Sequence, residues 1–293
     1  VELVGTRLTQ HFKNQGHEVF ILTRNPQKHE YESQVSYIEW LNPHSHPETE
    51  LENIDVAINL AGTSLNSGRW TENKKQQILE SRMITTREFI RIMGALSETP
   101  KAYINASAIG YFGTSDEQIF TEETIMPGND FLAEVCSVWE QEAQAAEELG
   151  IRTVMTRFGV ILDKDEGALP MIALPYKLMA GGPLGNGEQW MSWVHIDDVV
   201  ESIDFIIHHE ELDGPVNITA PNPKRNKEFG RTLSQVLRKP HWLTAPSFAL
   251  STILGDMSIL ILKGQYVYPK KLKESGYNFK YPNLQESLEN IYS

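Results

Sequence analysis

Short β-branched runs alternate with longer amphipathic segments through the first half of this 293-residue chain, and few architectures accommodate that rhythm. Residues 19–22, 54–60, 103–105 and 154–158 have the composition of buried strands. Residues 6–14, 74–96 and 131–149 repeat apolar positions at helical spacing. Gly16 and Gly150 follow two of these segments and predict C-terminal stops, because glycine takes the left-handed backbone that closes a helix. Strand, helix and strand in this order require crossover connections. Right-handed crossovers give an α/β fold, a doubly wound parallel sheet whose ligand site lies beyond the carboxyl ends of the strands.

After about Leu162 the rhythm changes to a Gly- and Pro-rich stretch, residues 167–187, with one helix expected over residues 171–180. This reads as an inserted lobe. A helix starting near Asp197 or Asp198, a strand over residues 216–219 and Pro221-Asn222-Pro223 follow, then a helical tail containing residues 266–269. Residues 249–262 are the most apolar late stretch, too short for a membrane span and broken by Gly255 and Asp256, which predicts a packed helix. No internal repeat is visible.

Composition narrows the class of function. With 40% hydrophobic and 22% charged residues the chain is an ordinary folded globular protein. A formal charge of -13 repels phosphate backbones and anionic lipid, so a small-molecule substrate is the expected partner, not nucleic acid or a membrane. A local basic pocket for one small anion stays open. The only cysteine, Cys136, cannot form an intrachain disulfide, and nine scattered histidines show no zinc-type spacing, so no metal is expected. With no signal peptide visible, a soluble protein of the reducing cytoplasm is the expectation.

The chain opens Val1-Glu2-Leu3-Val4-Gly5-Thr6-Arg7-Leu8, similar to the end of a GxxGxxG turn where amides at a helix N-terminus meet a pyrophosphate. Only the last glycine of such a turn, Gly5, is present; its strand and earlier glycines are not. Arg24 stands about 20 residues further on, where an NAD-preferring fold places a carboxylate for the ribose 2′-hydroxyl. An arginine there suits a 2′-phosphate, so Thr23-Arg24-Asn25 favours NADP over NAD. A solvated surface arginine is the alternative.

Five further stretches follow. Asp55-Val56-Ala57-Ile58-Asn59-Leu60-Ala61-Gly62 resembles the fourth strand of short-chain dehydrogenases and its small-residue turn beside the cofactor. Glu80-Ser81-Arg82-Met83-Ile84-Thr85-Thr86-Arg87 resembles the segment with a catalytic-shell Asn and a Gly-Thr pair. Asn105-Ala106-Ser107-Ala108-Ile109-Gly110-Tyr111-Phe112-Gly113 resembles the strand carrying the catalytic Ser or Thr. Arg157-Phe158-Gly159-Val160-Ile161-Leu162 resembles the sixth strand, whose following residues contact the nicotinamide. Trp193-Val194-His195-Ile196-Asp197-Asp198-Val199 resembles the phrase before a helix of the C-terminal lobe.

In this shared order, over residues 5–217, the chain resembles extended short-chain dehydrogenase/reductases of the NAD(P)-dependent epimerase/dehydratase type. Arg82, the run from Ser107 to Tyr111, and Phe131-Leu132-Ala133-Glu134-Val135-Cys136 followed by Trp139-Glu140 narrow the resemblance to an atypical group of epimerase family proteins with undefined substrate. The resemblance implies a Rossmann-type doubly wound sheet with a smaller C-terminal substrate lobe and a helical extension. Its regions are an NADP-binding domain over residues 1–165, a substrate lobe with returning core elements over 166–239, and an extension over 240–293. It implies cofactor contacts at Gly5, Arg24, Leu60, Ala61, Gly62, Arg82, Ser107, Phe158 and Gly159, with NADPH the cofactor ahead of NAD.

The chemistry departs from the family. Its usual mechanism needs Tyr-x-x-x-Lys on one helical face, the lysine depressing the tyrosine pKa so that the phenol exchanges a proton while hydride moves. With Glu140 aligned to the glutamate that commonly follows, Leu132 and Cys136 take those positions; a one-residue shift gives Phe131 and Val135. Tyr111, Cys136 or His195 could move the proton instead, with Ser107, or Ala108 in the shifted register, at the substrate oxygen. The stronger reading of Cys136 is a packing residue, and that of His195 a structural hydrogen-bond partner before the capping Asp197-Asp198. Trp190, Met191 and Trp193 could form an aromatic wall for a substrate or simply pack on the core.

Two functions from different classes remain. One is an NADP-dependent oxidoreductase or epimerase acting on a small, anionic or nucleotide-sugar-like substrate. The other is a catalytically degenerate NADPH-binding regulator or interaction protein. An unrelated flavin- or nucleotide-binding module would leave the residue 193–199 phrase unexplained.

Overall fold

The computed structural model describes residues 2–65 and 68–293. Val1, the first residue of the glycine-turn resemblance, lies outside the described residues. The chain opens with α1 (Glu2–Asn14), which ends at Gly16 (φ 89°), and passes into the parallel pair β1 (Val19–Thr23) and β2 (Val35–Glu39), Val19 opposite Val35. Then come β3 (Val56–Asn59), α2 (Glu72–Ala95), β4 (Ala102–Ala108), β5 (Ile119–Phe120), α3 (Phe131–Gln144) and β6 (Arg152–Phe158). Side chains set the helix starts: Thr71 accepts from the Lys74 amide at 3.2 Å and Asp130 from the Ala133 amide at 3.0 Å. The helix expected over 131–149 tightens to a 3-10 turn over Ala145–Leu149 before Gly150 closes it in the left-handed region (φ 74°).

The lobe and returning elements are β7 (Val160–Leu162), α4 (Leu169–Lys177), β8 (Trp190–Met191), β9 (Trp193–His195), α5 (Ile196–His208) and β10 (Gly214–Ile218). They continue with β11 (Lys224–Arg225) and α6 (Asn226–Leu237), then α7 (Ser247–Leu254), α8 (Ile259–Leu262), β12 (Tyr266–Val267), α9 (Lys270–Glu274) and α10 (Leu284–Tyr292).

A four-stranded parallel sheet in the order β10-β6-β4-β3 forms the centre, registered by Val56 on Ala102, Ile104 on Val154 and Val154 on Gly214. Period-two alternation sends neighbouring residues to opposite faces. Ile104, Val154, Val216 and Ile218 pack against Leu3, Val4 and Leu8 of α1 and Val199, Ile203 and Ile206 of α5. Ala57, Tyr103 and Met155 face Met93 of α2 and Ala143 of α3. Helices thus cover both faces, a doubly wound parallel sheet as the sequence rhythm requires. A separate lobe core joins Tyr176 of α4, Trp193, Phe229 and Leu233 of α6, and Leu284 and Leu288 of α10.

Three expectations are corrected in the C-terminal third. Residues 249–262 are not one packed helix: Gly255 (φ 59°) breaks them into α7, a 3-10 turn and α8, none with a buried residue. Residues 266–269 do not continue a helical tail, because β12 pairs in parallel with β5, Tyr266 opposite Ile119. The cap of α5 is not an aspartate but His195, whose ring nitrogen accepts from the Asp197 amide at 3.0 Å. Asp198 is buried instead and accepts from the Lys280 and Tyr281 amides at 2.7 and 2.9 Å, tying the tail to α5. Among the described residues no helix is long and apolar enough to cross a membrane.

Candidate functional site

The carboxyl end of β3 is shaped by the buried Asn59. Its amide nitrogen donates to Asn105 at 2.9 Å and to Thr86 at 3.2 Å, while its side-chain oxygen accepts from the Ala61 amide at 3.0 Å and turns the chain. Leu60, Ala61 and Gly62 follow from this turn. Gly5, in the first turns of α1, lies against it: a Cβ there would sit 3.8 Å from Leu60 Cδ1. A Cβ on Gly62 would press to 3.1 Å from Arg82 Cζ, so a small residue is needed where arginine crosses beneath the loop.

Arg82 is a buried cation held by backbone carbonyls and an aromatic face. Its Nη1 donates to the carbonyls of Thr63 at 3.1 Å and Ile78 at 2.9 Å, and its guanidinium lies 4.8 Å from the Trp139 ring centre. Burial holds its pKa below the ordinary arginine value. Arg24 follows β1 directly and is exposed.

At the end of β4 the Ser107 hydroxyl is buried and donates to Glu140 at 2.6 Å. Arg157 forks onto the same carboxylate at 2.8 and 2.7 Å and lies 3.5 Å from the Tyr111 ring centre. The Tyr111 hydroxyl donates to the Ile125 carbonyl at 2.5 Å. Leu132 and Cys136 share one face of α3 and both meet Gly110, whose added Cβ would lie 3.2 Å from Leu132 Cβ and 3.6 Å from the Cys136 sulfur. Burial, reinforced by Glu140, pushes the Cys136 thiol up to about 12. A neutral thiol is a poor nucleophile. The protons of Ser107 and Tyr111 are already donated inside the protein. After β6, Phe158 is half-buried, and a Cβ on Gly159 would fall 2.7 Å from the Ser192 carbonyl, a position open only to glycine.

The lobe residues separate. Trp190 is half-buried; its ring nitrogen donates to the Asp116 carbonyl at 3.0 Å and the Arg225 guanidinium stacks 3.8 Å from its ring. Trp193 is buried in the lobe core, its ring nitrogen donating to the Asn222 carbonyl at 3.2 Å. His195 is buried as the α5 cap, with Tyr281 packed 4.1 Å from its ring. Trp193 and His195 therefore pack in the core and do not join Trp190 in a wall.

One feature carried no sequence signal. A cavity of about 250 Å3 is lined by Trp70, Lys75, Phe131, Leu132, Asp256 and Ile259, residues from three distant stretches of chain.

The profile of the NAD dependent epimerase/dehydratase family matches residues 3–219, and that of a domain of unknown function (DUF1731) matches residues 245–291. The chain is 47% identical over 288 residues to Epimerase family protein YfhF of Bacillus subtilis (strain 168), covering 98% of this chain and 94% of that protein. Among solved structures it is similar to human epimerase family protein SDR39U1 (isoform 2) with NADPH, with a TM-score of 0.85 and 28% identity over 99% of this chain and 95% of that one. UDP-glucuronic acid 4-epimerase from Bacillus cereus in complex with NAD shares the fold, with a TM-score of 0.78 and 14% identity over 99% of this chain and 92% of that one.

Proposed function

Because the chain belongs to the NAD dependent epimerase/dehydratase family, we propose that it binds NADP(H) across the carboxyl ends of its strands and acts as an oxidoreductase or epimerase on a small anionic substrate. The observation that carries this reading is the gathering of Gly5, Leu60, Ala61, Gly62 and Arg82 at the end of β3. Small residues there admit backbone close to a dinucleotide, and Arg82 holds the loop through the Thr63 carbonyl. The donor set fits the group: Arg24 is an exposed cation directly after β1, suited to a 2′-phosphate, and the similar human protein is described with NADPH.

In this reading residues 1–165 hold the cofactor, 166–239 roof the site and 240–293 close it. A bound nicotinamide would supply hydride exchange. Leu132 and Gly110 shape an apolar floor beside it, which excludes water from the reacting carbon. The Glu140–Arg157 pair braces Ser107 and Tyr111 from below. Fluorescence titration of the full chain with NADPH and NADH, followed by a screen of carbonyl compounds and sugar nucleotides for cofactor oxidation, tests the reading. Failure to bind either cofactor overturns it.

A further inference from the structure

The cavity beside Leu132 adjoins a second one of about 370 Å3, lined by Arg69, Trp70, Thr71, Leu254, Gly255 and Asp256. The two share Trp70 and Asp256, so they form one groove between the starts of α2 and α3 and the segment from α7 to α8. Its surface is divided almost evenly between polar and apolar atoms, the apolar part coming from Trp70, Phe131, Leu132, Leu254 and Ile259. The charged lining groups are Arg69, Lys75 and Asp256, two cations to one carboxylate in a chain of net charge -13. Leu132 belongs both to this groove and to the contact with Gly110 after β4, so this one side chain stands between the groove and the carboxyl end of β4.

We propose that this groove is the substrate pocket, and that it takes a small molecule with an apolar, ring-sized body and one anionic group, which pairs with Lys75 by displacing Asp256. The proposal rests on the reading above that the sheet's crevice holds NADP(H).

Lys75 is the pivot. Its ammonium lies 2.7 Å from Asp256, 3.1 Å from Glu72 and 5.7 Å from the Phe131 ring centre. Its side chain is only 20% exposed, whereas those of Asp256 and Glu72 are 64% and 92% exposed. Exposed carboxylates exchange a salt bridge for water at little cost. A ligand anion entering over Phe131 would make the same bond on the drier side and release Asp256 to solvent. Asp256 thus stands where the ligand's anion would stand.

The segment carrying Asp256 is anchored at its far end, where the buried Gln189 donates to the Ile261 carbonyl at 2.6 Å, and is looser around Asp256 itself. No residue of α7, the turn at Gly255 or α8 is buried, and Arg69 donates to the Thr252 carbonyl at a long 3.4 Å. A sugar would want amide or paired-carboxylate partners for its hydroxyls, and none is among the described lining residues. Trp70, Phe131, Leu132 and Ile259 suit an aromatic or branched aliphatic body.

The test is calorimetric titration of the full chain with naphthoate and with uncharged naphthamide, with NADPH affinity measured alongside. Naphthoate is expected to bind about tenfold tighter than naphthamide or better. Asp256→Asn removes the competing carboxylate and should tighten naphthoate about threefold, while Lys75→Met should erase the difference between the two ligands. Leu132→Trp fills the groove and should lose both; Ile259→Trp narrows it from the exposed side and serves if the first variant does not fold. No naphthoate binding, equal affinity for both ligands, or naphthoate binding unmoved by Lys75→Met overturns the proposal. If NADPH still binds, the cofactor reading stands alone; if NADPH does not bind the unaltered chain, that reading fails at its own step.

Discussion

Glu140 and Arg157 form a forked ion pair, at 2.8 and 2.7 Å, with both side chains almost wholly withdrawn from solvent. The same carboxylate accepts from Ser107, and the guanidinium lies under Tyr111, so one buried charge pair braces both side chains. Desolvating two charges is costly, and the hydrogen bonds to both oxygens offset that cost only while the set is complete.

Removing one partner should therefore be severe. Glu140→Gln leaves Arg157 buried without its counter-charge and is expected to cost about 3–5 kcal/mol in urea unfolding. Ser107→Ala removes one donor and should cost about 1 kcal/mol. A loss for Glu140→Gln no larger than for Ser107→Ala would mean that the pair is hydrated and not a buried brace.

Arg24→Asp replaces an exposed cation at the end of β1 by an anion. If a charge-assisted contact with the 2′-phosphate contributes about 1.5–3 kcal/mol, NADPH affinity should fall about tenfold to a hundredfold, with far less change for NADH. Binding titrations of both cofactors read this directly; equal losses would make Arg24 structural.

The local rhythm of the sequence was sufficient for the sheet, because strand and helix periods are written in neighbouring residues. Gly16 and Gly150 announce helix ends in the same way, and both take the left-handed backbone. The Leu132–Cys136 spacing was readable as one helical face, and the structure turns that face to Gly110. What stayed open was set by partners far along the chain. Trp193 and His195 sit in a phrase before a helix that admitted both a site role and a packing role, and the packing of α10 and Tyr281 decides that both are buried. The Lys75–Asp256 contact joins residues 181 positions apart, and no spacing rule links them.

His195 makes stability depend on acid. Burial holds its pKa below the usual 6.5, because the ring must stay neutral for its nitrogen to accept from the Asp197 amide. The contribution is fully present above about pH 6.5 and is lost as the pH falls through the lowered folded value, since the unfolded chain takes up the proton first. His195→Asn keeps a capping acceptor and should flatten this acid limb, whereas His195→Ala should cost about 1 kcal/mol even at neutral pH. Unfolding free energies between the neutral and mildly acidic range measure both effects.

Cys136 acts at the opposite end. Its thiol rises from 9.0 to about 12 on burial, so the neutral form stabilises the fold below about pH 9 and that contribution is lost as the pH climbs toward 12. Iodoacetamide should leave the native thiol unmodified at neutral pH and label it after unfolding. Cys136→Ser should keep cofactor affinity within about twofold, because the change is small and local. Rapid labelling of the native chain would show a thiolate that burial does not allow.

Arg82 offers the sharpest separation of positioning from binding. It donates to the Thr63 carbonyl, while the Thr63 amide donates to Ser81 at 3.1 Å, so the loop after β3 is gripped from both sides of one residue. Arg82→Met keeps the apolar stem over Trp139 but leaves the Thr63 carbonyl without its donor. The loop amides should then exchange hydrogen faster, and, with the cofactor bound as proposed, NADPH and NADH affinities should fall together, because the loop would hold the part common to both. Arg82→Lys retains a charge but not the planar fork and should recover only part of the loss. A fall confined to substrate affinity, with unchanged exchange at Thr63, would mean that Arg82 touches the ligand's anion directly and that the loop holds itself.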